Sequence, residues 1–237
     1  VTVPPRPERP PYGAAGAAGA ATPMDALRLR RLNRWQAETL KEDLADLYVE
    51  SSQAQPGEEY RDREAFLRRL TGAVRQPGFA LLIAEGTAFA GCAYGFPVRR
   101  DGTWWRGFDG PLPPSVEQLT ASGHVFAITE TLVHPHTDAP GVARRLQRRL
   151  LADHHASLGA TLVDQADRVV HDAFLSWGWQ DIGAVLRPSD GSSRSSLLPP
   201  DAVVLRALVL ALGAGTGALG AANPDGLAHE NRTQRPD

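Results

Sequence analysis

The chain has 237 residues, 42% of them hydrophobic and 22% charged, with a formal net charge of −2. That is enough chain for one sizeable buried core, an ordinary soluble globular composition, and a charge that argues against nucleic-acid or anionic-membrane binding as the main task. The single cysteine, Cys92, excludes a disulfide framework and a cysteine-based zinc site, and fits a reducing, cytoplasmic setting.

Residues 1–25 form a Pro/Ala/Gly-rich leader with no apolar core behind a basic start, so they read as disordered rather than as a secretory signal. Met24, the only methionine, stands where periodic sequence begins and is the candidate initiator, with Val1 the product of an alternative start codon. From there to residue 212 the pattern is that of one domain. Residues 26–32 alternate as a half-buried strand. Asn33, with Gln36 three positions on, starts a helix by a capping box, and Trp35, Leu40, Leu44 and Leu47 give it an apolar stripe to about residue 50. A polar loop over 51–60 leads to a second helix over 62–75, with Phe66, Leu67 and Leu70 inward.

Two apolar runs at 79–85 and 88–97 flank Gly86 and Thr87 as a β-hairpin. Residues 98–123 read as one long irregular segment that contains Trp104 and Trp105. Loops of that length are usually functional, so the two tryptophans either line a substrate site or cap the core. A strand over 126–133 then turns at Pro135 into a helix running to about 151. A strand at 160–164, a helix at 168–177 capped by Asp167 and ended by Gly178, and strands at 179–187 and 203–210 follow, the last two joined by a Ser-rich loop. Residues 213–237 read as a disordered tail. The apolar run 202–212 is broken by Arg206 and falls well short of the roughly 20 residues a membrane span needs. The order predicts an α/β domain with a mixed, mainly antiparallel central sheet flanked by helices, not a doubly wound parallel one.

The helix after the 126–133 strand opens with small residues, Ala139, Pro140, Gly141, Val142 and Ala143, which let an anion approach free backbone N–H groups. Val142 and Ala143 are the expected donors, and Pro140, with no N–H, suits a first helical turn. Arg144 and Arg145 in that turn are misplaced beside a positive helix end unless an anion sits there, whereas Arg148 and Arg149 read as a solvated face.

This order and these residues resemble the GCN5-related N-acetyltransferase (GNAT) superfamily, whose cofactor segment reads roughly V-x-P-x-x-[QR]-x-x-G-x-[GA]. Val133, Pro135, Gly141 and Ala143 match it in register, and Glu130 matches a frequent strand-borne acid. Later, Gly178 and Trp179 match the Gly-aromatic step that closes the family's last helix pattern. Asp138 stands where the family has Gln or Arg, Phe174 where many members carry a tyrosine that protonates the departing CoA thiolate, and Asp167 where Asn is common.

The resemblance implies transfer of an acetyl group from acetyl-CoA to a primary amine of a small molecule or peptide by direct attack, in a monomer or homodimer, without a metal. It places the cofactor against Leu132, Val133, Asp138–Arg144, Asp167 and Phe174. It also places the acceptor near the first helices and the 98–123 loop, with Trp104 and Trp105. An alkyl amine of pKa about 10 is only about 0.1% neutral at pH 7, so a base is needed. Glu130 is the candidate, its alternative being a salt-bridged edge acid. His171, one turn before Phe174, is the candidate replacement acid, or else a surface or packing histidine. His134, His136, His154 and His155 have no metal-ligand spacing, and Gly213, Gly215 and Ala218 imitate a dinucleotide fingerprint with too little chain after them. A catalytically degenerate protein of the same fold, binding acyl-CoA or a protein partner, is the competing expectation.

Overall fold

A computed structural model describes residues 27–51, 59–86, 88–135, 137–188 and 202–213. The expected disordered leader with Met24, most of the 51–60 loop, Thr87, His136, the Ser-rich loop and the tail beyond Gly213 lie outside the described residues. The chain runs β1 (Arg28–Leu32), α1 (Arg34–Thr39), α2 (Lys41–Ser51), α3 (Glu59–Val74), β2 (Ala80–Glu85), β3 (Phe89–Pro97), α4 (Pro114–Ser122), β4 (Val125–Val133), α5 (Ala139–Asp153), β5 (Leu158–Asp164), α6 (Arg168–Ser176), β6 (Gln180–Pro188) and β7 (Ala202–Ala211). The strands form a seven-stranded sheet in the order β1-β2-β3-β4-β5-β7-β6. Every neighbouring pair is antiparallel except β4 with β5. This is the single mixed α/β domain the element order predicts.

Both faces of the sheet are covered, which is why its central strands read as continuous apolar runs rather than alternating ones. In β2, Leu81 and Ile83 join Phe66, Leu70 and Leu44 of the first three helices. Ala80, Leu82 and Ala84 face the other way, toward Val142, Leu146 and Leu150 of α5 and Phe174 of α6. A third apolar cluster, under Trp105 and Val116, extends the first face across β5, β7 and β6.

Three local features differ from the sequence reading. The first helix breaks at Leu40, where the Thr39 hydroxyl turns back onto the Trp35 carbonyl at 2.9 Å and competes with the helical ladder. The capping box at Asn33 is present, with both reciprocal bonds, but Trp35 is 82% exposed and lies outside the apolar stripe, Ala37 taking the buried place. The 98–123 segment is not irregular throughout: Thr103–Trp105 forms a 3-10 turn and α4 occupies its second half. Pro114 is tolerated in the first turn because a helix start needs no N–H there, and Gly123, at φ 79°, ends the helix as a left-handed cap. The first half of the segment bonds to β6: Leu186 donates to the Gly107 carbonyl (2.8 Å) and Asp109 to the Ala184 carbonyl (2.9 Å). It therefore covers the edge strand of the sheet, which would otherwise present unpaired backbone groups.

Candidate functional site

Two irregularities in β4 shape the site. The first is a parallel partnership that stops early. β4 pairs with β5 at Val125 with Leu158, Phe126 with Gly159 and Ala127 with Ala160, and no further. Beyond that point the strands part, and among the described residues no strand covers this edge of β4. His134 N–H donates to the Ala90 carbonyl of β3 at 2.9 Å. Backbone groups alternate along a strand, so the N–H of Leu132 also faces β3 while those of Thr131 and Val133 face the open side.

The second is a bulge. Tyr94 pairs with Glu130, but the next residue, Gly95, pairs with Ile128. Thr129 is the extra residue, and its hydroxyl donates to the Tyr94 carbonyl at 3.2 Å. An inserted residue reverses the alternation of everything after it. Ala127 lies on the helix α1–α3 side; without the bulge Glu130 would point to the α5 side. With it, Glu130 and Leu132 share the α3 face, and Thr131 instead receives Gln147 of α5 at 3.2 Å.

There Glu130 meets Arg69 of α3, Oε2 to Nη2, at 3.5 Å, with the acid side chain 21% exposed. The Arg69 guanidinium also lies over the Tyr48 ring, 5.2 Å from its centroid. Glu130, Arg69, Tyr94, Thr129, Phe96, Gln76, Ala73 and Gly72 line a cavity of about 280 Å³. Burial raises the Glu130 carboxyl above its ordinary value, and the Arg69 charge only partly offsets it. Burial likewise holds the Tyr94 phenol well above its usual range, helped by the neighbouring carboxylate. A carboxylate raised in this way, at a cavity, is a more basic proton acceptor than an ordinary glutamate. Arg69 escaped the sequence reading, yet it stands three residues after Phe66 and four before Ala73. A cation inside the buried stripe of α3 was the available signal.

β4 leads through a turn at His134–Thr137, closed by the Thr137 N–H to the His134 carbonyl (3.0 Å), into α5. Asp138 is the N-cap residue, and its side chain makes no capping bond. The Val142 N–H donates to the Asp138 carbonyl at 3.0 Å. The first helical bond therefore already uses Val142, and Ala143 lies one step deeper in the ladder. The donors left open at the helix start are the N–H groups of Ala139 and Gly141, since Pro140 has none. This corrects the expectation that Val142 and Ala143 supply them. Arg144 is exposed but is the sixth residue of α5, in its second turn rather than its first as expected, while Arg149 is paired with Asp153 at 2.8 Å.

On α6, Asp167 caps the helix as expected, accepting from the Val170 N–H at 3.0 Å. The far end is a Schellman motif: Gly178 (φ 95°) donates to the Leu175 carbonyl at 3.0 Å and Trp179 to the Phe174 carbonyl at 3.1 Å. Phe174 is the motif's hydrophobic partner, its ring 5.3 Å from those of both Trp177 and Trp179. It carries no proton, and its position is that of a core residue. Both ring nitrogens of His171 face carboxylates, Nε2 on Asp181 at 2.9 Å and Nδ1 on Asp172 at 3.4 Å. Asp181 in turn takes two bonds from Arg206, at 2.8 and 2.7 Å. His171 does not line the Glu130 cavity, and the network explains it as a strand-to-helix clamp, which corrects the acid role expected of it.

Trp105 is 4% exposed, and its indole N–H donates to the Thr120 hydroxyl at 2.9 Å. It caps the core, the second of the two alternatives. Trp104 is half-buried and packs edge-on against Phe96 at 5.9 Å, directly behind the wall of the Glu130 cavity. Among the described residues no cluster of His, Cys, Asp or Glu is placed to hold a metal ion, and no helix is long and apolar enough to cross a membrane.

No family model and no curated protein matches the sequence. Solved structures do match the fold. A probable acetyltransferase from Staphylococcus epidermidis is similar with a TM-score of 0.50, over 79% of this chain and 99% of that one, at 11% identity. An aminoglycoside 6'-acetyltransferase type Ii gives a TM-score of 0.50, with 78% and 96% covered and 10% identity. The acetyltransferase of GNAT family from Streptococcus pneumoniae gives 0.46, over 78% and 99%, at 12% identity. The structural neighbours are GNAT-family acetyltransferases, and what this chain shares with them at such identity is the fold.

Proposed function

We propose that this protein is an N-acyltransferase that transfers the acetyl group of acetyl-CoA to a primary amine by direct attack. The observation that carries the reading is the continuity of three features along one strand. Glu130 sits in its cavity, the open edge of β4 follows at Thr131–Val133, and the free N–H groups of Ala139 and Gly141 lie at the start of the next helix.

The residues fit a CoA molecule in their backbone. An open strand edge offers N–H and C=O groups to the amides of an extended arm, and an uncapped helix start offers N–H groups to phosphates. The exposed Asp138 carboxylate is unfavourable there, and the exposed Arg144 in the second turn supplies a positive charge against it. Leu132 contributes packing from the far side of the strand, and Asp167 and Phe174 fix α6 as the opposite wall. When bound, acetyl-CoA supplies an activated thioester carbonyl.

The work of this chain is then to position the amine and manage its proton. Glu130 takes the proton from the incoming ammonium or amine, directly or through a water. The Val133 N–H holds the carbonyl oxygen as negative charge builds on it. An ammonium first gives one proton through Glu130 to solvent; the neutral amine then forms the new C–N bond as the C–S bond breaks, Glu130 takes the remaining proton from the nitrogen, and CoA leaves as its thiolate. A thiolate of pKa about 8.5 departs without a full proton transfer, so the step does not require the acid that Phe174 cannot be.

A second reading, a protein that binds acyl-CoA without turning it over, is favoured by the locked, protonless Phe174. Calorimetry with acetyl-CoA, followed by a thiol-release assay with amines, separates the two. Binding with amine-dependent release supports transfer, binding alone selects the second reading, and no binding at high micromolar cofactor removes both.

A further inference from the structure

We infer that the acceptor is a small free amino acid, with an amine alpha to a carboxylate, and that Arg69 is the residue that selects it. The inference rests on the acyltransferase reading and concerns the Glu130 cavity alone.

The carboxylate proposed to receive the amine is already paired, with Arg69 Nη2 3.5 Å from Glu130 Oε2. A plain alkylammonium arriving there would place a second cation on one carboxylate, beside the guanidinium already paired with it. An acceptor bearing its own carboxylate reverses the sign of that problem. Its ammonium meets Glu130, its carboxylate meets Arg69, and the four charges close into a square of alternating sign. The two ends of such a square must be as close in the acceptor as they are in the protein. An amine alpha to a carboxylate satisfies this, and a lysine side chain or a polyamine does not.

Arg69 is suited to the task. Its guanidinium presents several N–H donors in a planar fork, and the Tyr48 ring, 5.2 Å away, fixes that plane from one side. Its side chain remains 36% exposed, so one edge of the fork is open to a ligand. Among the described residues that line the cavity, Glu130 is the acid and Arg69 the base, and the charges of a zwitterion match them one for one. The rest of the lining joins an apolar part, Ala73, Phe96 and the Tyr94 ring, which would take a compact side chain, to the polar Gln76 and Thr129. The volume, about 280 Å³, falls just below the range of about 300 to 1,000 Å³ of drug-sized ligand pockets, which suits a small acceptor.

The test is CoA release by the full chain with acetyl-CoA and a panel of free amino acids, each beside its own carboxamide and its amino alcohol. Free acids should exceed their carboxamides about ten-fold or more in kcat/KM, because a site built for a group rejects the analogue lacking it. Arg69→Gln alters the shared Glu130 base for both substrates, so the readout is their ratio: the preference for the free acid over its carboxamide in kcat/KM should collapse to within about two-fold, with Arg69→Lys between the two. Carboxamides or plain amines serving as well as the acids would overturn the inference while leaving acyl transfer intact. Equal damage by Arg69→Gln to both partners of a pair would also overturn it. Failure of every amine, zwitterionic or not, overturns the acyltransferase reading itself.

Discussion

Tyr94 and Glu130 stand opposite each other across β3 and β4, and the ladder slips by one residue immediately beyond them, where Gly95 faces Ile128. That slip carries the Glu130 carboxylate onto the α3 face, where Arg69 and the cavity are. A Cβ on Gly95 would lie 1.9 Å from the Ala127 carbonyl oxygen. Gly95→Ala should therefore force the strands apart and cost about 1–3 kcal/mol in urea denaturation. It should also lower turnover more than acetyl-CoA affinity, because the α5 start is remote from the bulge.

The Glu130→Gln variant tests the base directly. Burial raises the Glu130 carboxyl above 4.5, so the ascending limb of kcat/KM against pH should lie above the ordinary glutamate range in the native protein. Without the base, only amine already neutral in solution reacts, and that fraction grows with pH. The deficit of the variant should be largest below neutral pH and shrink toward alkaline pH. An identical pH profile in both proteins contradicts the base role.

Gly141→Glu should abolish acetyl-CoA binding in calorimetry while far-UV circular dichroism stays native. The new carboxylate would sit at one of the two open N–H groups of the α5 start, where phosphate oxygens would be repelled.

Phe174 and His171 lie on α6 and are expected to act on stability. Phe174 is 7% exposed and packs on Trp177 and Trp179, so Phe174→Ala should cost about 3–5 kcal/mol, read from denaturant midpoints. Its loss also removes the hydrophobic half of the motif that ends the helix.

The Asp181 hydrogen bond raises the His171 imidazole above its ordinary 6.5. Burial pushes the Asp181 carboxyl up, but bonds from Arg206 and His171 outweigh it and leave it below 3.8. A raised base stabilises below its unfolded value and loses that contribution as pH rises through its folded one. A lowered acid stabilises above its unfolded value and loses it as pH falls. The two windows overlap between pH 3.8 and 6.5. His171→Ala should depress the melting temperature most in that interval, with the difference fading as pH rises further.

The sequence made much of the frame legible for local reasons. Asn33 with Gln36, Asp167 and Gly178 are caps whose chemistry acts within one turn, and the structure carries all of them. Apolar runs located the central strands because both sheet faces are buried. What stayed hidden depends on partners distant in sequence. Nothing around Thr129 announces a bulge, since the insertion exists only relative to β3. The pairing of Arg69 with Glu130 joins residues on a helix and a strand that only the fold brings together. α4 was missed for a different reason: residues 98–123 read as one irregular segment, although Pro114 in it marks a helix start as well as a turn. Trp105 read as a candidate ligand because its Thr120 partner belongs to that unrecognised helix.

The most direct test of the account is thiol release from acetyl-CoA by the full chain in the presence and absence of primary amines, with mass spectrometry of the amine. The account predicts release that depends on the amine and a product heavier by one acetyl group, both lost in Gly141→Glu. Acetyl-CoA that binds but stays intact with every amine, or that does not bind at all, would contradict it.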